Sequence, residues 1–129
     1  MLATALNRLN ESIMALNKCS QNDTLANMLQ DSVLIRLRFC FILLFRALRS
    51  HLFQIHGRKT IRDAVLENCC EKKLITHEEL DDLEQCHQDC IDSSAYLSDK
   101  AAQAIAIRAE QHYNLMTGLP QKIERFDLD

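Results

Sequence analysis

Between Met1 and His56 the chain contains neither glycine nor proline. In all 129 residues there are two glycines, Gly57 and Gly118, and one proline, Pro120. Sandwiches and barrels reverse direction every few residues and need turn-formers to do so, so this shortage points to long helices joined by short connections. A chain of this length is sufficient for one domain with a hydrophobic core, and 47% apolar content supplies the material for it.

Five helical segments are predicted from apolar spacing. The first covers about residues 2–18, with Leu2, Leu6, Leu9, Ile13 and Leu16 on one face. After "CSQND", Thr24 is a candidate cap for a long second helix over about 25–56, closed by Gly57. The third follows Thr60 and runs to about Lys73, with Ile61, Ala64, Val65 and Cys69 turned inward. The fourth begins at Thr76, where Thr76 and Glu79 have capping-box spacing; Leu80, Leu83, Cys86, Cys90 and Ile91 form its inner face. The fifth, capped by Ser98 or Asp99, stops at Thr117–Gly118 before Pro120. The expected fold is an all-α, up-down bundle of about five helices over residues 1–117, with 118–129 as a C-terminal tail.

The second helix carries more apolar surface than one buried face requires. Leu34, Leu37, Phe41, Leu44, Leu48, Leu52 and Ile55 make an ordinary core stripe. Ile35, Phe39, Ile42 and Phe53 lie round the other side, and Arg36, Arg38, Arg46 and Arg49 bracket the doubly apolar zone. Such a helix is either central in its bundle or packs a partner with its second face, and a homodimer is the simplest such partner. Its apolar run from Phe39 to Phe45 is too short to cross a bilayer, which takes about 20 largely apolar residues. The first sixteen residues alternate apolar and polar groups and lack the continuous apolar stretch of a secretory signal. A soluble, cytoplasmic protein with no membrane partner is expected.

Charge is segregated. Residues 31–62 carry a net +6 and residues 63–100 a net −8, within an overall −3. General nucleic-acid binding calls for a broad basic surface, whereas this polarity suits charge-guided pairing with a protein or, equally, two solvated faces of opposite sign. The six cysteines contain no Cys-x-x-Cys pair and are expected to be reduced, small, buried groups. Cys86 and Cys90 share a helix face with His87 between them, but a closed zinc site takes four ligands and no second pair is evident. No phosphate loop, His-Glu-x-x-His or nucleophile-elbow motif occurs. No cofactor and no metal is expected.

The order of features resembles the nucleotidyltransferase substrate-binding family, a branch of the HEPN superfamily. Its long helix reads approximately Arg-Asp-x-x-Ile-Gln-Arg-Phe-Glu-x-x-Phe-Glu-Leu-x-Trp-Lys-x-Leu-Lys. In "QDSVLIRLRFCFILLFRALR", Asp31, Arg36, Phe41, Leu43, Arg46, Leu48 and Arg49 fall in the matching places, with Phe45 at the Trp position. "HGRKTIRDAVLENCCEKKLI" resembles the Gly and Arg-containing helix that follow, and "DCIDSSAY" the Arg-Asn-x-x-Ser-His-x-Tyr segment. The likeness spans about residues 5–117.

The departures from that pattern shape what it implies. The Arg position is Asp89 and the His position is Ser94, while Ser93 and Tyr96 are kept; two Glu positions are Arg38 and Ile42. A carboxylate repels an RNA phosphate, and a serine cannot replace histidine in acid–base work at neutral pH. The resemblance therefore implies a non-catalytic subunit that partners a separate small nucleotidyltransferase, with nucleotide or RNA as a further ligand. Its cleft would involve Asp89, Ser93, Ser94, Tyr96, Arg36, Arg38 and Arg46, and its interface Ile35, Phe39, Ile42 and Phe53. Tyr96 is where some relatives accept a nucleotide; with the Arg–His pair replaced there is little activity to silence, and packing at the start of the fifth helix is the expected role. The alternatives are a divergent HEPN-type ribonuclease or toxin using His87 or His112, and a helical adaptor whose ancestral site has decayed.

Overall fold

The computed structural model of the chain describes residues 1–19, 23–57, 60–94 and 98–123. It is all-α: α1 (Leu2–Lys18), α2 (Asp23–His56), a 3-10 turn (Arg62–Ala64) leading into α3 (Val65–Glu71), α4 (His77–Ser93) and α5 (Asp99–Lys122). There is no strand among the described residues.

The core follows the first apolar stripe of α2. Leu37, Leu44, Leu48 and Leu52 are wholly buried, joined by Val33 and Cys40. α1, α3, α4 and α5 all pack against this helix. Ser12 of α1 meets Ser32 of α2, and Arg108 and His112 of α5 meet Asp89 of α4. Near the start of α2, Ala26 and Gln30 share a hollow with Asp99 and Gln103 of α5, so these two helices run in the same direction. Glu79 at the start of α4 pairs with Lys122 at the end of α5, so those two run in opposite directions. Hence α2 is antiparallel to α4, and α5 lies between α1 and α4 on its inner side. Ala102, Ala106 and Ala109 are buried on α5; their small side chains allow close approach to α2.

Several boundaries differ from the periodicity. Thr24 lies inside α2, which starts at Asp23. Ile61 is 76% exposed, because residues 62–64 wind at three residues per turn and break the helical phase before α3 begins. Ile55 and Ile91 are also exposed, the first in the last turn of α2 and the second about 100° round α4 from Cys90. At the C-terminal end α5 does not stop at Gly118 but continues through Pro120 to Lys122. Proline removes one helical hydrogen bond, but burial of Leu119, Pro120 and Ile123 keeps the last turn in place. The segment expected as a tail from 118 thus belongs to the bundle as far as Ile123.

Helix ends explain the connections. Gly57 adopts a left-handed conformation (φ 70°) and its N–H donates to the Phe53 carbonyl, closing α2. The capping box at α4 is formed: Thr76 Oγ1 accepts from the Glu79 N–H, and Glu79 Oε1 accepts from the Thr76 N–H. Ser98 caps α5 by accepting from Ala101. Lys73 sits at φ 62° in the turn after α3, where Leu74 N–H reaches the Cys69 carbonyl and Lys73 N–H the Cys70 carbonyl. A side chain in that backbone conformation is strained. Lys73→Gly should therefore raise stability by about 0.5–1 kcal/mol, read as an upward shift of the urea midpoint at unchanged slope.

Candidate functional site

Two polar constellations flank α4 on opposite sides. The inner one is built on Asp89, which is 1% exposed. Arg108 Nε donates to Asp89 Oδ2 at 2.9 Å and Arg108 Nη2 to Oδ1 at 2.7 Å. His112 Nε2 lies 2.7 Å from Oδ2, and Gln85 Nε2 donates to Oδ1 at 3.0 Å. Arg108 and His112 are one turn apart on α5, and Gln85 is one turn before Asp89 on α4, so helical spacing alone aims all three at the same carboxylate. Burial by itself would push the Asp89 carboxyl up, but the bonds from Arg108, His112 and Gln85 outweigh it and hold the group below its ordinary value. An ionised carboxylate has no proton to give, so His112 donates its Nε2–H. Every strong acceptor direction of Asp89 is used within the chain. Its work is to fasten α5 to α4.

The outer constellation is a cleft of about 720 Å³ between α2 and α4, closed on one side by the 3-10 turn and α3. α2 contributes Arg38, Phe41, Ile42, Phe45 and Arg46. Arg62, Asp63, Leu66 and Glu67 come from the segment after α2, and Glu84, His87, Cys90, Ile91 and Ser94 from α4. Its floor is aromatic: the His87 ring stacks on Phe41 at 5.1 Å between centroids and 12° between planes, with Phe45 at 6.4 Å from His87. The Nε of Arg38 is buried without a hydrogen-bond acceptor among the described residues.

The residues expected in one cleft are therefore divided. Arg38, Arg46 and Ser94 meet there, together with Ile42 from the expected interface. Asp89 faces α5 instead. Arg36 lies on another flank of α2, its Nε on the Ser32 hydroxyl at 3.3 Å. The Ser93 hydroxyl donates to the Cys90 carbonyl, and the Ser94 hydroxyl donates to the Ile91 carbonyl at 2.7 Å. Tyr96 lies outside the described residues. Ile35, Phe39, Ile42 and Phe53 are 57%, 48%, 46% and 47% exposed, so the second stripe of α2 is open along the molecule's outside. Compared with known protein families, curated proteins and solved structures, the chain matches none.

His87 forms part of the cleft, whereas His112 is 5% exposed and committed to Asp89. No group of three or more metal-ligating side chains is assembled among the described residues. The six cysteines form no disulfide with one another. Burial pushes the Cys40 and Cys69 thiols up to about 12, and contact with Cys90 followed by burial raises Cys86 as well. These thiols hold their protons at neutral pH and behave as packing groups. No described helix is long and apolar enough to cross a membrane.

Two measurements check this account. Asp89→Asn should lower stability at pH 7 by about 2 kcal/mol, the scale of charge-assisted bonds lost around a buried group. Because the folded carboxyl is held below its ordinary value, its stabilisation is fully present above the unfolded pKa of about 4 and is lost as pH falls through the lower folded value. The gap between wild type and Asp89→Asn should accordingly close in acid. With a thiol reagent at neutral pH, the native chain should label at Cys19 and Cys70, which are partly exposed, and the other four only after denaturation; mass mapping of the adducts reads this directly.

Proposed function

We propose that this chain is a non-catalytic helical binding protein, the cytoplasmic, homodimeric subunit that serves a separate small nucleotidyltransferase. The observation that carries the non-catalytic part is the fate of the two positions where the resemblance would put an Arg and a His. Asp89 is turned inward and saturated by Arg108, His112 and Gln85, and the hydroxyl proton of Ser94 is tied to a backbone carbonyl. Neither is left to bind or protonate a phosphate. What the molecule offers instead is surface. The open stripe of α2 puts Ile35, Phe39 and Ile42 side by side, rimmed by Arg38 and Arg46. Exposed apolar surface with a charged rim is the usual form of a protein interface. The resemblance supplies the class of partner.

Of the two histidines named for a divergent ribonuclease, His112 is occupied by Asp89 and His87 lines the cleft. That gives the alternative a single candidate residue and a simple assay.

The test is co-purification with a small nucleotidyltransferase, sought first among the genes adjoining this chain's own. A stable complex is expected on gel filtration, and Phe39→Glu combined with Ile35→Glu should weaken it at least tenfold while the far-ultraviolet helical signal is kept. A chain that stays monomeric at high concentration and retains no nucleotidyltransferase would sink the proposal. So would RNA cleavage that disappears in His87→Ala.

A further inference from the structure

The cleft between α2 and α4 has a polarity of its own. Phe41 of α2 sits against His87 of α4, and the two helices are antiparallel. Moving back one turn along α2 to Arg38 therefore moves forward along α4 to Ile91 and Ser94. Moving the other way, to Arg46, leads to Glu84. Asp63 and Glu67 enter from the segment after Thr60, whose carbonyl is held at 3.1 Å by Arg49, one turn beyond Arg46. The carboxylates of the cleft thus gather towards Arg46 and Arg62. At the other end Arg38 faces Ile91 and Ser94, neither of which brings a negative charge.

Arg38 is also the residue whose Nε–H is buried without an acceptor among the described residues. A guanidinium N–H removed from water and left unbonded is costly, and the cost is relieved when the group turns to an acceptor brought into the cleft. One guanidinium at that end matches one negative charge, and its planar fork fits the two oxygens of a carboxylate. From Arg38 to Phe45 the wall runs for about 10 Å at the helical rise, and it is lined by Ile42, Phe45 and Leu66. It is long enough for an extended hydrocarbon chain and has the apolar character of a ligand site.

We infer that this cleft binds an amphiphilic carboxylate, its head on Arg38 and its apolar body along Ile42, Phe45 and Leu66. This goes beyond the proposed partnership and does not depend on it. The acceptor comes from the ligand, and so does the surface that covers the apolar wall.

Decanoate is the probe, titrated calorimetrically into the purified chain below its micellar range, with decanol as its uncharged counterpart. Saturable binding at one site per chain is expected, with decanol at least tenfold weaker. Arg38→Met should weaken decanoate about tenfold or more, the loss that goes with a charge-assisted pair, and Arg36→Met, on another flank of the helix, should not. Ile91 is half-exposed, so Ile91→Glu should fold and set a competing carboxylate opposite Arg38; it should abolish binding. This second variant carries the test if Arg38→Met fails to fold. The inference is overturned if wild type shows no saturable decanoate binding, if decanol binds as tightly, or if Ile91→Glu binds as well as wild type. Partner capture plays no part in these readouts, so either proposal can fail alone.

Discussion

The inner face of α2 is the one surface that α1, α3, α4 and α5 share. A helix of 34 residues is about 50 Å long, and its buried leucines have no way to leave water except under these neighbours. Truncating one such leucine in a packed core costs about 2–5 kcal/mol, a large part of the margin by which a domain is folded. The arrangement of everything else follows from covering this stripe. α1, α5 and α4 lie side by side along it. α3, with seven residues, covers only a short stretch. The cleft is a result of that shortness: α4 and α3 both reach the flank of α2 where Phe41, Phe45 and Arg38 emerge, and neither is placed to fill it.

The bundle then solves a separate problem at Asp89. α4 is rich in carboxylates, most of them exposed, yet one points into the interior. An ionised group there is tolerable only when its oxygens are bonded and its charge is opposed. Arg108 does both while keeping 38% of its side chain in contact with solvent, so only one of the two charges is fully withdrawn from water. A pair of this kind contributes less to net stability than to the choice of partner face. Rotating α5 by a single residue would leave Asp89 buried and unopposed, which fixes the register of α5 more tightly than its alanine-rich surface could.

Local rules made much of this legible. Apolar spacing marks α1, α2, α4 and α5, the Thr76–Glu79 box marks where α4 starts, and the excess apolar surface of α2 marks the face that stays exposed. Ser98 and Gly57 behave as their residue types dictate. The misjudged ends are those where tertiary burial overrides a local signal. Pro120 reads as a stop, but Leu119 and Ile123 dock on the core and carry the helix past it. Ile61 and Ile91 look like core residues by type, but a 3-10 turn puts the first outside and a place one residue round α4 from the buried Cys90 does so for the second. The site was less legible because its residues are far apart in sequence. Asp89 finds Arg108 and His112 nineteen and twenty-three residues away. The available hint was the i, i+4 placement of Arg108 and His112 amid alanines, two large polar groups on a face otherwise built for close packing. Likewise Arg38 and Arg62 share a cleft only because the chain doubles back after Gly57.

The position of α5 beside α1 also sets a schedule. These helices touch although most of the chain lies between them. During synthesis α1 and α2 emerge first and can pair as a hairpin, but the part of α2 that α5 packs against has nothing to cover it until α5 has left the ribosome. A nascent chain of this protein therefore spends the making of α3, α4 and the start of α5 with its most apolar helix covered by α1 alone, part of the inner face open for that interval and the outer stripe open still in the folded chain. Chaperones recognise such surface, and the wait for α5 is the interval in which they would meet it.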